Sequence, residues 1–222
     1  MNVLPDYILL DNNVYPPASD TFALSDAISS DLETIIAVNP TLILEVGCGS
    51  GYISTSLAMA LIKHGIHTFI LNSDLNPYAT LMSLDTAKLN NTNAYTDGVR
   101  GSLVEWTNSE FDVMIFNPPY IPCQQFDHIC SSIKCCNYDD CGKKLIELSY
   151  NGGPDGNVTI NKFLSTSLNN LSPTGLIYLL LEKQNNPGAI IKELELMGYI
   201  VKILLTRYCY NEVYTIIRIC KY

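Results

Sequence analysis

The chain has 222 residues, 47% of them apolar, which suits one domain with a large core. Its formal net charge is −9, so it lacks the basic surface that drives non-specific binding to phosphate backbones. This argues against duplex DNA or RNA as the primary substrate and favours a basic protein partner.

Only 16% of the residues are charged. That fits either a large α/β core or a surface partly covered by a partner. The start, MNVLPDYILLDNN, has neither a basic beginning nor a long apolar run, so it is read as no signal peptide. No segment approaches the length of a membrane span. The eight cysteines are read as free thiols, which implies a cytoplasmic protein with room for a nuclear fraction.

The elements alternate between strand and helix. Residues 1–40 form an N-terminal lid and helix segment. Thr41–Val46 (TLILEV) is a short apolar run ended by glycines, the mark of a buried parallel strand. Residues 52–65 carry apolar positions at helical spacing, with Gly65 suited to the cap. HTFILNSD (67–74) is a second strand. A helix follows with Asn76 as N-cap and Pro77 in its first turn. Asn93–Thr96 (NAYT) is a weak third strand and FDVMIFN (111–117) a strong fourth. A helix over 157–171, a strand over 175–182 and a helix over 186–198 come next. YIVKILLTR (199–207) and EVYTIIRIC (212–220) close the chain as an antiparallel pair.

This alternation predicts a parallel sheet with helices on both faces. One segment breaks the pattern. Cys123–Leu145 holds five cysteines and little periodicity, and reads as an inserted loop over 123–146. Its cysteines form no C-x-x-C pair, so no metal site is assigned. It is read as a loop that orders around substrate.

Three features carry chemistry. LEVGCGSG places Gly47, Gly49 and Gly51 between the first strand and the first helix after it, where glycines permit a sharp turn and close approach of a ligand. The spacing is not the strict dinucleotide motif. Asp74 ends the second strand, where a carboxylate accepts hydrogen bonds from ribose hydroxyls, and Glu45 stands beside the glycines. Together they imply an adenosine cofactor at the carboxyl ends of the strands.

The third feature is Asn117-Pro118-Pro119-Tyr120, which ends the fourth strand on the same rim. The Asn117 amide oxygen accepts hydrogen bonds, and the prolines lack N–H groups and fix their φ angles. The segment therefore presents acceptors rigidly, with Tyr120 as a flat ring for a planar group. Such a site suits a carboxamide or amino nitrogen. If Asn117 Oδ1 and the Pro118 carbonyl accept both hydrogens, the nitrogen lone pair is aimed at an electrophilic carbon about 3–3.5 Å away.

LEVGCGSG, the acid of NSDLNP and FNPPY resemble a class I S-adenosylmethionine-dependent N-methyltransferase. VYPPASDTFALSDAI (14–28) and NGGPDG (151–156) narrow the resemblance. The chain is similar to the eukaryotic and archaeal HemK-like glutamine methyltransferases of class I translation termination factors. The resemblance covers nearly the whole chain and implies one Rossmann-like methyltransferase domain over residues 1–222. It implies a seven-stranded sheet of order 3-2-1-4-5-7-6 with strand seven antiparallel. It also implies N5-methylation of the glutamine in a Gly-Gly-Gln loop, with S-adenosyl-L-methionine as cofactor.

By the same resemblance Thr21 touches the cofactor, Glu45 and Gly47 line its methionine end, and Gly49 belongs to the cofactor site. Asp74 holds the ribose, Asp97 and Gly98 lie by the adenine, and Asn117 bridges cofactor and substrate. Asn117, Pro118, Pro119 and Tyr120 form the substrate site. A small zinc-binding activator subunit is implied as partner, and an unpaired strand-three edge is a natural place for it to dock. The chain has Pro16 and Ser19 where the family commonly has Glu, which removes two carboxylates from the N-terminal segment. Adenine-N6 methylation of DNA and methylation of protein lysine are the competing activities.

Overall fold

A computed structural model describes residues 4–7, 13–127 and 141–222. Its strands are β1 (Leu42–Val46), β2 (Phe69–Asp74), β3 (Thr96–Arg100), β4 (Phe111–Phe116), β5 (Leu171–Glu182), β6 (Ile200–Cys209) and β7 (Glu212–Cys220). They form one sheet of order β3-β2-β1-β4-β5-β7-β6. β1 to β5 pair in parallel, and β7 runs antiparallel to both β5 and β6. The expected sheet order and the antiparallel seventh strand are both found.

Burial explains the sequence pattern. β1, β4 and most of β5 are apolar almost without interruption because helices cover both faces of the sheet. On one face lie α1 (Ser19–Ser30), α2 (Leu32–Val38) and α3 (Tyr52–Lys63). Leu24, Ile35 and Leu61 pack there against Ile43, Ile70 and Val113. α4 (Pro77–Leu89) packs beside α3 and against β2 and β3. A further described helix, α5 (Cys141–Tyr150), begins within the stretch read as a loop over 123–146 and continues beyond it. Residues 128–140 of that insertion, with Cys130, Cys135 and Cys136, lie outside the described residues. On the opposite face α6 (Val158–Ser167) and α7 (Pro187–Leu196) bring Phe163 and Leu194 onto Leu44, Met114 and Ile177.

Two local expectations are corrected. Residues 93–95 are a single 3₁₀ turn, and the third strand starts only at Thr96. β3 has no apolar run, since its register is set by pairing Ile70–Asp74 of β2 with Thr96–Arg100. The fifth strand begins at Leu171, four residues before the predicted start. Pro173 lies where the pairing with β4 shifts register, which is where a strand tolerates proline.

One buried ion pair ties the N-terminal helices to the sheet. Arg218 on β7 donates from Nη1 to both carboxylate oxygens of Asp31, at 2.9 and 2.7 Å, and Tyr178 Oη donates to Asp31 Oδ2 at 2.9 Å. Asp31 also accepts from the Thr34 hydroxyl of α2 at 3.0 Å. Removing one partner strands the other charge away from water. Asp31→Ala is expected to cost about 3–5 kcal/mol of folding stability, read as a fall in the denaturation midpoint. A loss below 1 kcal/mol would show that the pair does not anchor the helices.

Candidate active site

β1, β2 and β4 are neighbours in parallel, so their carboxyl ends converge on one rim. β1 runs into the glycine turn, β2 ends at Asp74, and β4 stops one residue before Asn117. A cavity of about 690 Å³ opens there, within the range of small-molecule sites. Thr21, Glu45, Gly47, Gly49 and Asp74 line it, as do Asn117, Pro118, Pro119 and Tyr120.

The glycine turn is forced at Gly51. It has φ +75°, and a Cβ there would lie 2.7 Å from the Ser83 backbone of α4. Asp74 is held by backbone donors: Gly49 N reaches Oδ2 at 3.1 Å and Asn76 N reaches Oδ1 at 2.8 Å. Burial raises the Asp74 pKa to about 6 against these hydrogen bonds. Glu45 is 3% exposed and accepts from Ser54 N at 2.9 Å. Burial pushes its pKa up to about 7, opposed by the hydrogen bonds from Ser54 and assisted by the charge of Asp74. Two acids so placed leave this end of the cavity short of positive charge.

Asp97 and Gly98 do not enter the cavity. With β3 starting at Thr96, the two residues fall inside the strand instead of after it. Asp97 is exposed, and Gly98 packs against Thr80 and Leu84 of α4. The loop after β3 supplies Gly101, Ser102 and Leu103 to the wall, together with Leu75 after β2.

Asn117 is bonded through one end of its amide. Nδ2 donates to Asp20 Oδ2 at 3.0 Å, while Oδ1 is buried with no hydrogen-bond partner among the described residues. Asp20 is 3% exposed and lies in the first turn of α1. Tyr120 is buried beside Asn117, edge-on to the Tyr214 ring at 6.2 Å between centroids. Its hydroxyl donates to Glu212 Oε1 at 3.4 Å, and Tyr214 donates to Glu212 Oε2. Burial, then the nearby Asp20 carboxylate, push the Tyr120 hydroxyl pKa far up, so the ring stays neutral.

NGGPDG holds the Asn-Pro-Pro-Tyr segment from behind. Ile121 N donates to the Tyr150 carbonyl and Gly152 N to the Ile121 carbonyl, both at 2.8 Å. Asn185 Nδ2 donates to the Tyr120 and Gly156 carbonyls at 3.2 Å. A Cβ at Gly156, with φ +77°, would sit 2.3 Å from the Tyr120 carbonyl oxygen. Phe126, Leu145, Leu148 and Tyr150 extend the wall, so α5 takes part in the cavity.

Residues 25–132 match the family model described as Methyltransferase small domain. The chain is 32% identical to the methyltransferase HEMK2 of Mus musculus, over 94% of its own length and 90% of the relative's. The chain belongs to the HEMK2 family of methyltransferases. It is also 32% identical to the eRF1 methyltransferase catalytic subunit mtq2 of Schizosaccharomyces pombe, over 93% of its length and 89% of the relative's. Its fold matches that of the E. cuniculi Mtq2–Trm112 complex with a TM-score of 0.60 at 24% identity, covering 95% of this chain and 99% of that one.

Within this HEMK2-family chain, sequence reading missed Asp20, Tyr15, Glu212 and Tyr214. All four line the cavity. Asp20 stands inside the quoted N-terminal stretch, but its 97-residue separation from Asn117 hides the contact from any local pattern. It supplies a carboxylate to a segment where Pro16 and Ser19 left none expected. Tyr15 has its pKa pushed up to about 12 by burial, then by Asp20 and Glu212.

A carboxylate with a raised folded-state pKa stabilises the fold most when protonated. The contribution of Glu45 is full below about 4.5 and is lost as pH rises through about 7. The stability of the wild type minus that of Glu45→Gln, from denaturant titrations between pH 5 and 8, is therefore expected to fall as pH rises. A flat difference would mean that Glu45 is not desolvated.

Proposed function

We propose that this chain is the catalytic subunit of an enzyme that N5-methylates the Gly-Gly-Gln glutamine of a class I translation termination factor. The observation that carries this reading is the Asn117 amide on a residue of the cavity wall: Nδ2 donates to Asp20, and Oδ1 is buried without a hydrogen-bond partner among the described residues. An unpaired buried acceptor costs about 1–3 kcal/mol and persists where a ligand donor completes it.

The cavity suits S-adenosyl-L-methionine, which supplies an electrophilic methyl group when bound. Asp74 would hold the ribose hydroxyls, and Thr21, Glu45, Gly47 and Gly49 the methionine end. Leu75, Ser102 and Leu103 would take the adenine border in place of Asp97 and Gly98. Asn117 Oδ1 accepts one N–H of the glutamine carboxamide and the Pro118 carbonyl the other, so the nitrogen is held with its lone pair toward the methyl donor. Tyr120, neutral and fixed by Glu212, packs against the planar amide. A carboxamide carries its own protons, so the chain needs no base before transfer and the surplus proton leaves to solvent.

The relatives support the substrate assignment, since the S. pombe protein is named as an eRF1 methyltransferase catalytic subunit. The E. cuniculi structure is a Mtq2–Trm112 complex. For this chain the corresponding partner is a small zinc-binding activator. The β3 edge favours docking, because among the described residues β3 pairs only with β2, and Leu81 and Leu89 on α4 are 63% and 51% exposed. Among the described residues no helix is long and apolar enough to cross a membrane. A cytoplasmic location is part of the proposal.

Asn117→Ala is expected to lower methylation of a purified termination factor by about 100-fold or more, read by mass spectrometry of the Gly-Gly-Gln peptide, while cofactor affinity stays within a few-fold. A variant with near-normal turnover would overturn this reading. In Gly156→Ala the Tyr120 carbonyl must move and alanine is strained at φ +77°, so a roughly tenfold loss of turnover is expected together with a lowered thermal midpoint. Unchanged turnover would show that this contact does not place the segment.

A further inference from the structure

We propose that Asp20 is a positioning residue for the reaction: it fixes which end of the Asn117 amide faces the substrate. The inference rests on the reading of Asn117 as the acceptor of the glutamine N–H.

A primary amide has an oxygen and an NH₂ of nearly equal size, and a half-turn about its last torsion exchanges them. In one orientation Asn117 offers an acceptor to an incoming N–H. In the other it offers a donor, which meets that N–H head-on. The backbone of β4 does not discriminate between the two. A carboxylate does, because it only accepts hydrogen bonds. With Asp20 Oδ2 at 3.0 Å, the NH₂ must turn to Asp20, and Oδ1 is the end left unpaired.

Asp20 is itself fixed. Its Oδ1 accepts from Thr21 N at 2.7 Å and from Thr21 Oγ1 at 3.3 Å, so both oxygens have donors. The adjacent Ser19 hydroxyl lies 3.0 Å from Tyr214 Oη, and Tyr214 and Tyr120 share the carboxylate of Glu212. The first turn of α1, the start of β7 and the Asn-Pro-Pro-Tyr segment are thereby joined around one amide. Tyr15 before α1 and Tyr120 after β4 both feel the charge of Asp20, and Tyr120 hands its hydroxyl to Glu212 on β7, which Tyr214 shares. Among them no cation is present, so the Asn117 NH₂ is the hydrogen-bond donor to Asp20 Oδ2 from outside α1.

The test exchanges the pair. Asp20→Asn, Asn117→Asp and the double exchange are expressed with the activator subunit and assayed on termination factor. Each single variant is expected to lose about 100-fold in kcat. In Asn117→Asp two carboxylates face one another, and a shared proton restores their hydrogen bond. Its kcat relative to wild type should therefore rise as pH falls from 8 to 6. The double exchange puts an amide donor at position 20 and an acceptor oxygen at position 117. It should recover at least about tenfold over Asn117→Asp and lose the pH dependence. Without any turnover, the side-chain NH₂ resonances of Asn117 in a ¹⁵N-labelled chain should shift in Asp20→Ala and keep their wild-type position in Asp85→Ala, a control on α4. Near-normal kcat in Asp20→Ala, or a double exchange no better than Asn117→Asp, would overturn the proposal. Should Asn117→Ala turn over normally, the glutamine reading fails instead, and the resonances still report on the contact.

Discussion

An asparagine side chain is nearly symmetric in shape and opposite in chemistry at its two ends, so its neighbours must decide what it can do. At Asn117 the deciding neighbour is a carboxylate 97 residues earlier in the chain. Everything around the contact keeps those two groups in register. β4 is central in the sheet, flanked by β1 and β5, and its backbone cannot drift. α1 is pinned to the same sheet by Tyr214, and the junction of α1 and α2 by the Asp31–Arg218 pair. The fold thus spends a buried ion pair and a tyrosine-carboxylate network on the placement of one helix turn.

The site carries unfavourable terms that the core must outweigh. An unpaired Asn117 oxygen costs about 1–3 kcal/mol. Glu45 is buried and Asp74 half-buried, each with hydrogen bonds but no paired cation among the described residues. These terms are small beside the burial of two apolar layers on either face of the sheet. They are also concentrated at the rim where the strands end, so the penalty falls where a ligand can relieve it. The glycines of NGGPDG serve the same end. Their missing side chains let one backbone segment brace another, which keeps the acceptor oxygens of the Asn-Pro-Pro-Tyr segment in place.

Much of this was legible in the sequence because the strong strands are apolar runs and most helices have clear periodicity. The sheet order came from the family resemblance, since no local pattern specifies which strands pair. The third strand was misplaced because TDGVR has no burial pattern of its own; it is a strand through its pairing with β2. That slip carried Asp97 and Gly98 out of the loop after the strand, and the cavity wall there is Gly101 to Leu103. Glu212 was read only as the first residue of the closing strand, yet it binds both Tyr120 and Tyr214. Asn117 itself was readable, since a polar amide ending an apolar strand is conspicuous. Its partner Asp20 was not, since long-range pairing leaves no local trace.

The raised pKa values of Glu45 and Asp74 connect this architecture to ligand choice. A buried acid whose pKa stands near 7 is partly protonated at neutral pH, because ionising it without a countercharge is costly. A ligand that brings positive charge beside it favours the ionised form and lowers that pKa. Entry of such a ligand therefore releases protons, and its affinity weakens as pH falls below about 7. A neutral ligand of the same shape gains nothing from this exchange. On the proposed reading Glu45 favours a cation at the end of the cavity where the glycines turn, while the unpaired oxygen of Asn117 favours a donor at the other. A methyl donor that is cationic and an acceptor that carries an N–H satisfy both demands at once, and the distance between the two sets of groups is fixed by adjacent strands of one sheet.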